Sequence, residues 1–151
     1  MRFFSKALIA VSLLSAAFTS LVQASDIEIS QAYVREVIPG NSVTSAYMTI
    51  NNQSSAAIKL VAATSSISPT IEIHEHTMHD GMMKMGQVAG ITIGAGEQAV
   101  LQPMGLHLMV FDLAAPLKAG QQVTMTLAFE DNQKIDVTMP VRSIKQAKHH
   151  H

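Results

Sequence analysis

The sequence lacks several residue types on which particular functions depend. Its 151 residues include no cysteine and no tryptophan, and only 14% of them are charged. The absence of cysteine excludes a disulfide scaffold, a thiolate zinc site, an iron–sulfur centre, a thiol nucleophile and a blue-copper cysteine. A formal net charge of −1 also excludes a nucleic-acid binder that works through bulk basic charge.

The most extended hydrophobic run lies at the start of the chain and is typical of a secretory signal. Arg2 and Lys6 precede the apolar run 7–18, and the triplet Val22-Gln23-Ala24 resembles a cleavage site. The run is short for a membrane span, and an uncleaved anchor is the alternative. We therefore expect residues 1–24 to be a cleaved signal peptide that directs the protein to the periplasm, with no stable membrane insertion afterwards.

The rest of the chain consists of short alternating or β-branched runs that end at turn residues. Runs such as 27–37, 70–77 and 134–141 are bounded by proline, glycine, asparagine and aspartate, and none has a helical period. This pattern predicts an all-β sandwich or small barrel of Greek-key type with about eight or nine strands. We expect one domain over residues 25–145, followed by a His-rich tail over 146–151.

Histidine and methionine are concentrated in the window 74–109. On strands, residues two apart share a face, so the window offers three same-face pairs: His74 with His76, Met83 with Met85, and His107 with Met109. Packing these segments side by side would gather imidazole and thioether groups at one point. The alternative is that methionine fills the core and histidine lies on the surface, as we expect for Met48, Met125 and Met139; the clustering favours a metal site.

Ligand softness indicates which metal such a site would take. Thioether sulfur is a poor ligand for zinc, calcium or magnesium and a good one for Cu(I), whereas imidazole binds either oxidation state of copper. A His/Met set without a thiolate also suits an oxidising compartment. The residues therefore predict a site for Cu(I), and its imidazoles could also bind Cu(II).

Two hydrolase motifs are incomplete in this window. His74-Glu75 begins a His-Glu-x-x-His zinc-protease pattern, but Met78 occupies the closing position. The same Met78 replaces the aspartate of the His-x-His-x-Asp-His pattern of dinuclear zinc hydrolases, and no nucleophile elbow is present. We therefore expect that the protein is not an enzyme.

The spacing of four residues resembles the signature of a known family. Ten residues separate His74 from Met85, twenty-one separate Met85 from His107, and one separates His107 from Met109. This H-x10-M-x21-H-x-M spacing resembles that of the periplasmic copper chaperones of the PCu(A)C type (the DUF461 family). The surrounding sequence is similar too, and the resemblance covers essentially all of the chain after residue 24. It includes the segments 72–75, 80–85 and 105–109, and the segment 32–35, where the family usually carries tryptophan.

The resemblance implies a cupredoxin-like Greek-key β-sandwich that binds Cu(I) through His74, Met85, His107 and Met109. It also implies delivery of copper to the Cu(A) centre of cytochrome c oxidase, with the Cu(A) subunit or a Sco-type thiol protein as acceptor, and we expect a monomer. The family commonly has methionine two residues after the first histidine, where this chain has His76. From that departure we expect His76 to make the site more accommodating to Cu(II).

Further side chains are candidates for accessory metal binding. Met78, Met82 and Met83 could form a soft rim, or be ordinary exposed loop residues. The tail residues His149, His150 and His151 could be a native Cu(II) site or part of a purification tag. A periplasmic copper buffer without a dedicated acceptor is the main functional alternative, and a structural β-sandwich or a redox copper enzyme are two others.

Overall fold

The computed structural model describes residues 25–143, so the predicted signal peptide and the tail histidines lie outside the described residues. Ten strands form in this range, and each predicted run matches a strand within two residues at either end. The strands are β1 (Ile27–Arg35), β2 (Thr44–Asn52), β3 (Ile58–Thr64), β4 (Thr70–His79), β5 (Met82–Gln87), β6 (Ile91–Ile93), β7 (Gln98–Leu101), β8 (His107–Phe111), β9 (Gln122–Phe129) and β10 (Lys134–Arg142). The count exceeds eight or nine because the short β6 and β7 form separate strands.

The strands make two layers joined at one corner. The first layer has the order β5-β4-β8-β2-β1, and β7 pairs with the second half of β2. The second layer has the order β10-β9-β3-β6. A short parallel pairing of β1 with β10 joins the layers, while the other strand pairs are antiparallel. The all-β sandwich expected from the sequence is therefore confirmed.

One hydrophobic cluster fills the space between the layers. In β9 and β10, alternate residues from Val123 to Phe129 and from Val137 to Val141 point inward and are buried, as period-2 patterning requires. Met48, Met125 and Met139 are at most 1% exposed and belong to this cluster. These three methionines are core residues, as the sequence predicted, and thus differ from those of the window 74–109.

The first layer turns its other face outward, and a β-bulge in β1 determines which residues lie there. Between Ser30 and Tyr33 the β1–β2 register gains one residue, and Gln31 has a positive φ of 53°. Ile27 and Ile29 face the core before the bulge, whereas after it Val34 takes the core phase. The bulge therefore reverses the alternation that we expected to run unbroken from residue 27 to 37.

No helix among residues 25–143 is long and apolar enough to cross a membrane.

Candidate metal centre

The three segments that carry the predicted same-face pairs are neighbouring strands. β5 pairs with β4, and β4 pairs with β8. His74 lies directly opposite His107, and His76 lies directly opposite Met85. The residues that alternate with them along the strands, such as Ile73 and Leu108, are buried in the core. The imidazoles and thioethers therefore share the outward face of the first layer, which we call the site face.

Two imidazole contacts bring the three histidines of this face together. The ring centroids of His74 and His107 are 5.9 Å apart, and those of His76 and His107 are 5.2 Å apart. His107 is only 3% exposed and His74 only 9%, although both point away from the core. Tyr47 and Phe111 pack against this ring cluster from either side and help to bury it.

A carboxylate determines which nitrogen of His74 is free. Nε2 of His74 lies 2.7 Å from Oε2 of Glu72, two residues earlier on the same face of β4. Because an ionised carboxylate can only accept a hydrogen bond, the neutral form of the ring carries its proton on Nε2 and keeps its lone pair on Nδ1. Nδ1 is buried and has no hydrogen-bond partner among the described residues. His74 is thus held with an unused metal-binding nitrogen inside the cluster.

In His107 the two ring nitrogens have the reverse roles, and a main-chain carbonyl fixes them. Its Nδ1 donates to the carbonyl oxygen of Gly105 at 2.9 Å, which leaves the lone pair on Nε2. Burial lowers the pKa of His107 below its ordinary value of 6.5, and the neighbouring rings of His76 and His74 lower it further. The hydrogen bond to Gly105 raises that pKa, with an effect smaller than that of burial but larger than that of either ring. His107 is therefore neutral near pH 7, as a metal ligand must be.

The two thioethers of the predicted set flank the imidazoles. Met109 lies opposite Glu72 on one side and opposite Ser45 on the other, and the Ser45 hydroxyl donates to its Sδ at 3.4 Å. Met85 lies on the edge strand β5 and is 49% exposed. The register therefore places Met109 and Met85 at opposite ends of the histidine group, one half-buried and the other open to solvent.

The position of Met85 depends on a two-residue turn. Asp80 and Gly81 connect β4 and β5, and both have positive φ, 50° and 73°. These angles are those of a type I′ turn, which fixes the register of a two-residue hairpin. The same register places Met83 opposite Met78 on the site face. Met82 pairs with His79, one position out of phase, so it lies on the other face.

This face offers two kinds of metal donor, imidazole nitrogen and thioether sulfur. No group of three His, Asp or Glu side chains among residues 25–143 is placed to hold a metal as the side chains stand. Two imidazole lone pairs and two thioethers, in contrast, are the neutral and soft donors that suit Cu(I). The Nδ1 of His74 is a donor that a metal could take up, because a buried polar atom without a partner is destabilising until something binds it.

A row of aromatic and basic side chains continues the site face across β2 and β1. Tyr47 lies 6.4 Å from His107 and 5.1 Å from Tyr33, measured between ring centroids. The guanidinium of Arg35 lies over Tyr47, and that of Arg142 lies over Tyr33. Both contacts have the geometry of cation–π interactions. The row buries one side of His107 and gives this end of the face a positive charge.

A cleft of about 310 Å³ opens beside Met109. Its lining includes Arg35, Asn41, Thr44, Ser45 and Met109 itself. Nε of Arg35 is buried there and has no hydrogen-bond partner among the described residues. The cleft therefore offers an approach to the Met109 thioether from the side opposite to Met85.

Sequence reasoning missed the residues that support the ligands. Glu72 is two residues from His74, and that spacing alone could have identified it as a same-face partner. Ser45 and Tyr47 reach the site only through the pairing of β2 with β8, for which the sequence carries no local signal. The tail residues His149–His151, predicted as an accessory site, lie outside the described residues.

Comparison with known proteins assigns the chain to a family. Residues 27–141 match the family model described as "LpqE-like: Putative lipoprotein LpqE-like". A curated relative from Leifsonia xyli subsp. xyli (strain CTCB07), named "Putative lipoprotein Lxx21020", is 34% identical over 139 residues. That alignment covers 91% of this chain and 82% of the relative.

Solved structures with the same fold include proteins with and without copper. Apo-DR1885 from Deinococcus radiodurans is 31% identical, with a TM-score of 0.63, and the match covers 94% of this chain and 95% of that one. The Cu(I) form of DR1885 is 37% identical over 74% of each chain, with a TM-score of 0.61. The copper-bound PCuAC domain of PmoF2 has a TM-score of 0.68 at 18% identity and covers 80% of this chain and 96% of its own. The chain therefore belongs to the LpqE-like family, and it has the cupredoxin-like β-sandwich fold of PCuAC domains.

Proposed function

We propose that this protein is a periplasmic copper carrier that binds Cu(I) through His74, Met85, His107 and Met109. One observation carries the proposal: two paired imidazoles each keep a lone pair free, because Glu72 and Gly105 take up the other ring nitrogens. Thioethers flank this pair on the same face. Two of the four proposed ligands are soft thioethers, so the soft cation Cu(I) is favoured over zinc or calcium.

The relatives support copper as the cargo. The Cu(I) form of DR1885 is 37% identical to this chain, and the PmoF2 domain of the same fold binds copper. The H-x10-M-x21-H-x-M spacing of the PCu(A)C type is complete in this sequence. The names of the family and of its Leifsonia relative describe lipoproteins, which supports export. Export to the periplasm through residues 1–24 remains part of the proposal.

The position of the site favours release by ligand exchange. Met85 is exposed on an edge strand, and Met109 borders a cleft, so an acceptor could displace one thioether at a time. The acceptors that we propose are the Cu(A) subunit of cytochrome c oxidase and a Sco-type thiol protein. A copper buffer without a dedicated acceptor would use the same site, and transfer of copper to an apo Cu(A) domain, followed by its absorption spectrum, separates the two functions.

Accessory soft ligands lie next to Met85. Met83 and Met78 form a cross-strand pair on the site face, and both are exposed. We propose that Met83 helps to capture Cu(I) at the edge of the sheet before it reaches the buried imidazoles. The tail residues His149, His150 and His151 are proposed as a separate, weaker site for Cu(II).

An anaerobic Cu(I) titration against a competing chelator tests the proposal. The wild-type chain should bind one Cu(I), and X-ray absorption should count two nitrogen and two sulfur ligands. Met109→Leu and Met85→Leu should each weaken binding by at least about tenfold, or ~1.4 kcal/mol. Met82→Leu is the matched control, since Met82 is exposed on the same hairpin but faces the other way. Unchanged affinity in Met109→Leu and Met85→Leu would refute the assignment of these ligands.

A further inference from the structure

His76 brings a third imidazole to the site face, next to the two that we assign to Cu(I). Its ring centroid is 5.2 Å from that of His107, which is closer than the 5.9 Å between His74 and His107. Its Nδ1 is buried and has no hydrogen-bond partner among the described residues. The face therefore holds two buried imidazole nitrogens without partners, one on His74 and one on His76.

The spacing of His107 from each of the other two rings is compatible with a shared metal. A metal–nitrogen bond of about 2.0 Å places the metal about 3.2 Å from a ring centroid, so two imidazoles that share a metal have centroids roughly 4.5–6 Å apart. Both measured separations fall in that range. The donor atoms do not converge on one point as the side chains stand. Binding would therefore require the rings to rotate about their side-chain bonds, at the expense of the hydrogen bonds that Glu72 and Gly105 make with two of them.

We propose that His74, His76 and His107 form a Cu(II) site that overlaps the Cu(I) site. The inference rests on the proposed function for the location of the site, but it concerns a different oxidation state and a different set of ligands. Three neutral imidazoles are good ligands for Cu(II), while thioethers bind it weakly. In the Cu(II) form Met85 and Met109 are therefore not ligands, and His76 takes their place beside the shared pair.

The strand register explains how His76 could replace the methionines as a ligand beside His74 and His107. His76 is directly opposite Met85 and two residues from His74 on the same strand face. Either His76 or Met85 can complete a set that contains His74 and His107. The side chain at position 76 would thus decide whether this face accepts copper in both oxidation states or only as Cu(I).

Electron paramagnetic resonance of the Cu(II)-loaded protein tests this site. The full chain is used with His149, His150 and His151 changed to alanine in every sample, which removes the tail as a competing site. The parent should show a Cu(II) signal with three nitrogen ligands. His76→Met should lower Cu(II) affinity at least about tenfold and leave two nitrogen ligands.

His79→Met is the matched control. His79 lies on the same strand, but its side chain is exposed and belongs to the other face. It should keep the parent's Cu(II) affinity and signal. If His76→Met retains the parent's Cu(II) affinity, or if His79→Met loses as much, the three-imidazole site is wrong. His76→Gln replaces His76→Met if the latter does not fold. Failure of the parent to bind Cu(I) would instead contradict the proposed function, so the two failures are distinguishable.

Discussion

The hydrogen bond between Glu72 and His74 provides the sharpest test of how the site is tuned. Glu72 approaches Nε2 of His74 at 2.7 Å and leaves Nδ1 free for copper. Glu72→Gln keeps an oxygen that can accept the same hydrogen bond, but it removes the negative charge. The ring would then keep its orientation while the imidazole becomes a weaker donor, because an ionised acceptor makes the stronger hydrogen bond.

The size of the effect follows from the exposure of the pair. Loss of an outer partner of a metal-bound histidine lowers metal affinity by about 10–100-fold, or ~1.4–2.7 kcal/mol. The Glu72 side chain is 31% exposed and the His74 side chain 11%, so water can replace part of the interaction. We therefore expect Glu72→Gln to lower Cu(I) affinity by about tenfold, at the weak end of this range.

The assay is an anaerobic competition titration of Cu(I) with a chelator, on wild type, Glu72→Gln and Glu75→Gln. Glu75 makes a matched control, because it lies on the same strand but on the other face. Unfolding in urea should place all three proteins within about 0.5 kcal/mol of one another. Equal Cu(I) affinity in the two variants would show that the Glu72 carboxylate does not tune His74 and would refute this reasoning.

Three other predictions concern stability. Leu108 lies between the proposed ligands His107 and Met109 and is 0% exposed. Changing it to alanine should destabilise the protein by about 2–5 kcal/mol, measured by urea unfolding, and a loss below about 1 kcal/mol would contradict its core position. Gly81→Ala places a side chain at a φ of 73° and should cost about 1 kcal/mol, seen as a Tm lower by several degrees; an unchanged Tm would argue against the type I′ turn. Burial and the neighbouring Tyr47 raise the pKa of Tyr33 above its ordinary value of 10.0, so the stability that this group contributes is complete below pH 10 and is lost as the pH rises towards the folded-state pKa. Tyr33→Phe should therefore lose less stability than wild type above pH 10, and an identical loss in urea unfolding would count against it.

Residue patterning predicts much of the fold because side chains alternate along each strand. In β4, Ile71 and Ile73 take the core phase while His74 and His76 take the other, and the sequence shows both phases directly. The strand bounds could be predicted as well, because turn residues end each run. The bulge in β1 escapes this reasoning, because Gln31 adopts a positive φ without being glycine or asparagine.

The site could be predicted only as far as local periodicity and family spacing reach. Which strands are neighbours depends on pairings between distant segments, such as that of His74 with His107. The contact of Ser45 with Met109 and that of Tyr47 with His107 depend on such a pairing as well. These contacts decide burial and hydrogen bonding at the site, so its electrostatics could not be derived before the topology was known.

The separation of the two sheet faces leads to a prediction about copper removal. A carrier must stay folded after it releases its metal, unlike small zinc domains that unfold without theirs. Here the buried core lies on one face of the first layer, while Met85 and Met109 lie on the other and are not part of that core. Folding should therefore not need copper, and chelator-treated protein should keep its β-sheet circular dichroism and a cooperative thermal transition. Because only the folded state binds it, Cu(I) should increase the free energy of unfolding by about 2.7 kcal/mol at a free copper concentration 100 times Kd, and the Tm should rise accordingly. Loss of cooperative unfolding in the copper-free protein would show that the metal holds the layers together, which would contradict a site built on the outward face.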